Sequence, residues 1–142
     1  MAEQEQAMDA KENEEIVRIA LDYFKKESGS DKKAKEMLGK LALTVKDEGA
    51  KLVHLGNVLF LVMVRGEGVV EIHTIGYEAQ PRMLANDFKQ LAAYLKNIGV
   101  KTAYTYTPDN RYGRLAQLTG LPVKTFKVEV KGKPMTAYVM EL

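Results

Sequence analysis

With 142 residues, 46% of them apolar, the chain is sized for one globular domain around a single core. It has no cysteine and only two histidines, His54 and His73, which excludes disulfides and thiolate metal sites and leaves too few imidazoles for a histidine-based metal centre. The net charge of +2 is unevenly placed: residues 1–15 hold six acids against Lys11, so an acidic lead precedes a basic body, and both read as solvated surface.

The lead MAEQEQAMDAKENEE has no apolar centre, and no apolar run approaches the roughly 18 residues that a membrane span needs. A soluble, cytoplasmic protein without a membrane partner is therefore expected. Residues 1–12 lack apolar periodicity and read as a flexible acidic arm, with a single domain over residues 13–142. From Asn13 a helix is expected, because Ile16, Val17, Ala20, Leu21 and Phe24 recur at the three-to-four spacing of one face. It ends at Ser28-Gly29-Ser30, where Ser30 or Asp31 caps a second helix with the stripe Ala34, Met37, Leu38, Leu41 and Val45.

Three strands follow. AKLVHL and VLFLVMV flank Gly56-Asn57, a pair suited to a tight hairpin turn, and RGEG turns the chain into VVEIHTI. Val58–Val64 is apolar at every position, which predicts a strand inside the sheet with both faces covered. The third strand alternates, placing Glu71, His73 and Ile75 on one face and Val70, Ile72 and Thr74 on the other. Pro81 suits the first position of a helix whose core face is Leu84, Phe88, Leu91, Ala92 and Leu95, and Gly99 marks its end. VKTAYTYT is the next strand, and a helix between two neighbouring strands predicts a parallel crossover, with Val69–Ile75 alongside Val100–Tyr106. A short helix over Arg111–Thr119 and an antiparallel hairpin, VKTFKVEV and TAYVMEL, close the chain.

This order of elements, and above all KNIGVKTAYTYTPDNRYGRLAQLTGLPV, resembles the GNAT (acyl-CoA N-acyltransferase) superfamily. The topology resembles it from Ile16 onward, and individual residues do so from about Leu95 to Val123. Two departures are visible: the family's first strand has no counterpart before Ile16, and Leu121 follows Gly120 where a phenylalanine is usual. The resemblance implies an α/β (α+β) GNAT-like fold: two N-terminal helices and a mixed central sheet with an antiparallel meander, a parallel crossover and a C-terminal hairpin. The phrase GNVLFLVMV…VVEIHTIG is also similar to small GNAT-like proteins of tailed bacteriophages, which implies a virion component.

Chemistry in this family needs three things. The resemblance implies that acetyl-CoA would lie at the carboxyl ends of the third and fourth strands, touching Thr74, Ile75, Gly76 and Arg82, with Asn110 from the second turn. Counted back from Gly99, however, the family's two phosphate-cradling glycines fall on Arg82 and Leu84, while Pro81 removes a donor and Glu78 adds negative charge. Weak or absent acetyl-CoA binding is the expectation, with Arg82 left to supply charge through its side chain. The family's general-acid tyrosine, four residues before the terminal glycine, falls on Ala116; Tyr112, one turn earlier, is the substitute.

A general base can be read from the residues themselves. Glu71 and His73 form the carboxylate–imidazole pair at productive spacing; alternatively they bond each other or Tyr104 and Tyr106 in a polar pocket where nothing reacts. His54 reads as an ordinary sheet residue.

Two functions follow. One is a scaffold with a degenerate cofactor site, binding other proteins or itself, within a phage particle or the host cytoplasm. The other is an active N-acetyltransferase moving an acetyl group to an amine. Nucleic acid is not an expected partner: Lys124, Lys127, Lys131 and Lys133, interleaved with Phe126, read as solvated edge-strand lysines that deter aggregation.

Overall fold

The computed structural model describes residues 10–47, 49–56, 58–76, 81–108 and 113–142. Four helices and a six-stranded sheet account for them: α1 (Ala10–Ser28), α2 (Asp31–Asp47), β1 (Lys51–Leu55), β2 (Val58–Gly66), β3 (Val69–Ile75), α3 (Pro81–Asn97), β4 (Thr102–Thr107), α4 (Gly113–Thr119), β5 (Val123–Val130) and β6 (Lys133–Glu141). No helix among the described residues is long and apolar enough to cross a membrane.

The sheet order is β1-β2-β3-β4-β6-β5. The first three strands form an antiparallel meander, β3 pairs with β4 in parallel, and β6 pairs antiparallel with both β4 and β5. The parallel crossover and the closing hairpin are those the sequence predicts. Gly68, at φ 70°, turns β2 into β3, and its carbonyl accepts the amides of Lys101 and Thr102 at 2.8 and 2.9 Å, so the same turn anchors the start of β4.

Strand alternation divides the core in two. On one face Val58, Phe60, Val62, Val70 and Ile72 pack against Leu91, Ala92 and Leu95 of α3, with Phe60 edge-on to Phe88 at 5.0 Å between ring centroids. On the other, Leu59, Leu61, Met63 and Ile75 meet Ile19, Ala20 and Phe24 of α1 and Ala34 and Leu41 of α2. β2 is buried from Val58 to Met63, as its unbroken apolar run requires. Val64 departs from the prediction and is exposed, because the register slips between Val64 and Gly66 where the strand runs off the covered part of the sheet.

Helix α1 begins at Ala10, three residues before the predicted Asn13. Apolar periodicity marks only the packed part of a helix, whereas a first turn rich in good helix formers and acids extends it without tertiary contacts. The rest of the predicted arm, residues 1–9, lies outside the described residues. Ser30 caps α2, its hydroxyl accepting the Lys33 amide at 3.4 Å.

Candidate functional site

The parallel ladder between β3 and β4 is short. It runs from Val69↔Thr102 to Glu71↔Tyr104 and stops, so His73–Ile75 and Thr105–Thr107 continue without pairing to each other, while each stays paired on its far side, with β2 and β6 respectively. Separation of two interior strands leaves main-chain donors and acceptors facing a gap, where a ligand can meet them.

At the point of separation sits a polar cluster on the α1/α2 face. Glu71 is 5% exposed. Its Oε1 accepts Arg65 Nε at 3.0 Å and the Tyr104 hydroxyl at 3.2 Å; its Oε2 accepts the Tyr106 hydroxyl at 3.4 Å and the His73 Nε2–H. Because β3 and β4 pair with Glu71 opposite Tyr104, strand alternation alone puts all four side chains from these strands on one face. Burial pushes the Glu71 pKa up, but the hydrogen bonds and charges of His73 and Arg65 outweigh it, and the net shift is below the usual carboxylate value of 4.5. Burial pushes Tyr104 and Tyr106 up, and the Glu71 charge and its hydrogen bonds add to this.

Arg65 is the member that sequence reading missed. It occupies the slipped position between Val64 and Gly66, and this irregularity at the end of β2 carries its guanidinium back across the hairpin to Glu71. The register Met63↔Glu71 would have located it, but register follows from turn geometry that RGEG alone does not specify.

Beyond the cluster, at the carboxyl ends of β3 and β4, opens a cleft of about 480 Å³. His73, Thr74 and Tyr106 line its sheet side, and Tyr23, Glu27 and Lys40 line its α1/α2 side. The predicted residues divide around it. Glu71 and His73 come together as expected. Thr74 reaches the cleft, while the Ile75 side chain is buried in the α1/α2 core, which leaves its main chain for any cofactor role. Gly76 ends β3 at φ 116°. Arg82 is exposed in the first turn of α3 and faces a groove shared with Lys89 and with Leu118 of α4. Asn110 and Tyr112 lie outside the described residues, as does Glu78. Ala116, on α4, lines a separate apolar chamber behind the sheet. His54 is a residue of β1, paired with Leu59 of β2 as a sheet residue is expected to be, and its Nε2–H donates to the Gly56 carbonyl at 2.8 Å.

No protein-family model and no curated protein matches the sequence. Solved structures do match. AAC(6')-Ib, in complex with ribostamycin and coenzyme A, aligns over 88% of this chain and 87% of its own with a TM-score of 0.62 and 14% identity. An aminoglycoside 6'-acetyltransferase of type Ii aligns over 90% and 88% with a TM-score of 0.59 and 14% identity. A GNAT family acetyltransferase from Elizabethkingia anophelis with acetyl-CoA bound aligns over 72% and 82% with a TM-score of 0.52 and 15% identity.

The chain has the GNAT fold. At these identities the likeness is one of architecture, a mixed α/β fold with a six-stranded sheet. What chemistry the scaffold carries depends on the side chains described above.

Proposed function

We propose that this GNAT-fold chain is a non-catalytic scaffold, an interaction component that binds other proteins or copies of itself. The observation that carries this reading is the saturation of Glu71. A general base must have a free lone pair aimed at the proton it takes and a pKa close to the working pH. Glu71 has four donors from within the chain, and its pKa moves away from neutrality. A carboxylate so engaged holds two strands and a hairpin end together. Pro81 at the start of α3, with no N–H to offer, and Ala116 on α4, with no ionisable group, act in the same direction. The phage setting rests on the sequence resemblance alone.

A second reading, an acetyl-CoA-dependent N-acetyltransferase, is favoured by one observation: His73 and Tyr106 line an open cleft where the strands separate. Several structures with this fold hold coenzyme A or acetyl-CoA. In that reading Glu71 orients the His73 ring rather than taking the proton itself. Calorimetric titration with acetyl-CoA, followed by an acetyl-transfer assay on polyamine and aminoglycoside acceptors, separates the two. Absence of micromolar binding and of turnover supports the scaffold; both together promote the enzyme.

A further inference from the structure

β5 is an open edge of the sheet. Among the described residues no strand pairs with its outer side, and the α1/α2 core draws on no strand beyond β3. The register sets Phe126 opposite Ala137 and Ala137 opposite Tyr106, so Phe126, Val128 and Val130 share the α1/α2 side of the sheet with the Glu71 cluster. Phe126 is 49% exposed and Val128 37%. Thr125, Lys127 and Glu129 point to the other side and are exposed as well.

The turn into β6 decides which main-chain groups of β5 are free. Val130 pairs with Lys133 across Lys131 and Gly132, both at positive φ, and the residues flanking such a two-residue turn exchange both main-chain hydrogen bonds. The bonded positions run back from there in steps of two through Val128 and Phe126, so Thr125, Lys127 and Glu129 direct N–H and C=O away from β6. Pro134, which has no N–H, lies opposite Glu129, where the ladder calls for none.

We infer that this edge docks a second copy of the chain, β5 against β5 antiparallel, about a two-fold axis that passes through Val128 normal to the sheet. In that register Lys127 lies opposite Glu129 of the second copy, and Glu129 opposite Lys127 of the second copy. The outward main-chain groups of each pair face one another, and each rung joins opposite charges. On the other side of the sheet Val128 meets its own counterpart, and Phe126 meets Val130 of the second copy. Moving the axis by one residue, to Lys127 or to Glu129, sets like charges against each other at the centre. Charges that discourage indiscriminate edge pairing therefore favour one register between two copies of this strand. The inference rests on the scaffold reading, for which it names the partner.

Sedimentation velocity on the full chain over a range of concentrations tests the edge, and a reversible monomer–dimer equilibrium is expected. Lys127→Glu and Glu129→Lys each turn two attractive rungs into two repulsive ones. Each is expected to weaken self-association by about tenfold or more, and the double variant carrying both is expected to restore it. One reversal lowers the net charge of +2 and the other raises it, so a loss shared by both does not follow from net charge. In the wild-type chain, amide exchange at Lys127 and Glu129 is expected to slow as concentration rises, while that of Val128, already bonded to β6, changes little. This readout needs no variant. A chain that stays monomeric, leaving the edge to a strand of another protein, would overturn the inference. So would dimerisation insensitive to both reversals, as an axis at Phe126 or contact through another face gives, or a double variant no stronger than the single ones. Acetyl-CoA titration decides the scaffold reading separately. A dimer that binds and turns over acetyl-CoA contradicts that reading alone, and a monomer that does neither contradicts this inference alone.

Discussion

Glu71 is where the two functional readings divide, and its environment makes predictions about pH. Its folded pKa is depressed, so the stability it contributes is present above the unfolded value near 4.5 and is lost as pH falls through the lower, folded value. Tyr104 and Tyr106 have raised pKa values, so their contribution is intact below the unfolded value of 10.0 and is lost as pH climbs above it. Denaturant unfolding measured across pH should show a plateau between these limits, and Glu71→Gln should flatten the acid side. At pH 7 that variant is expected to cost about 1–3 kcal/mol by leaving hydrogen-bonding groups around it less well matched. The contribution from Arg65 is at the low end, since its side chain is 41% exposed and screened by water. A variant as stable as the wild type would mean that the cluster does not hold the strands together.

The sequence also shows which part of this cluster is readable without a structure. Glu71, His73, Tyr104 and Tyr106 lie at alternating positions on two strands expected to be parallel neighbours, so period-two alternation suffices to group them. Arg65 was not readable, because it depends on a register slip that moves one residue out of the alternation.

At the scale of elements, the fold was legible where apolar periodicity is strong. β2 declares itself by six consecutive buried residues, and α3 by its Leu84–Leu95 stripe between Pro81 and Gly99. The ends were less legible: the first turn of α1 carries no periodic signal, and Val64 looks like core in sequence although the sheet leaves it uncovered. Two substitutions test the elements that fix the site. Phe60, fully buried at the centre of β2 and packed on Phe88, should cost about 3–5 kcal/mol on Phe60→Ala through lost transfer energy and a residual cavity. Gly68→Ala should cost about 1–2 kcal/mol, although its methyl would find ordinary contact with Lys101 at 3.5 Å, because the left-handed φ of 70° penalises any side chain. Chemical denaturation reads both. A neutral Gly68→Ala would show that the turn relaxes, and with it the bond from its carbonyl to the start of β4.

For the whole molecule, the chain with its GNAT fold has a strand gap, a cleft on one face and an apolar chamber on the other, and the proposed scaffold role rests on the side chains around them. In the scaffold proposal, the pyrophosphate site that the family resemblance implies at the start of α3 is short of main-chain donors, because Pro81 has none and Leu84 stands where the resemblance implies a glycine. Each charge-assisted hydrogen bond is worth about 1.5–3 kcal/mol, so losing two weakens a site by roughly a hundredfold to ten-thousandfold. Titration of the purified chain with acetyl-CoA by calorimetry therefore tests the central claim most directly. The scaffold account predicts no binding in the micromolar range and no acetyl transfer to an amine. Micromolar binding that Arg82→Ala abolishes, together with transfer that Glu71→Gln slows, would contradict it.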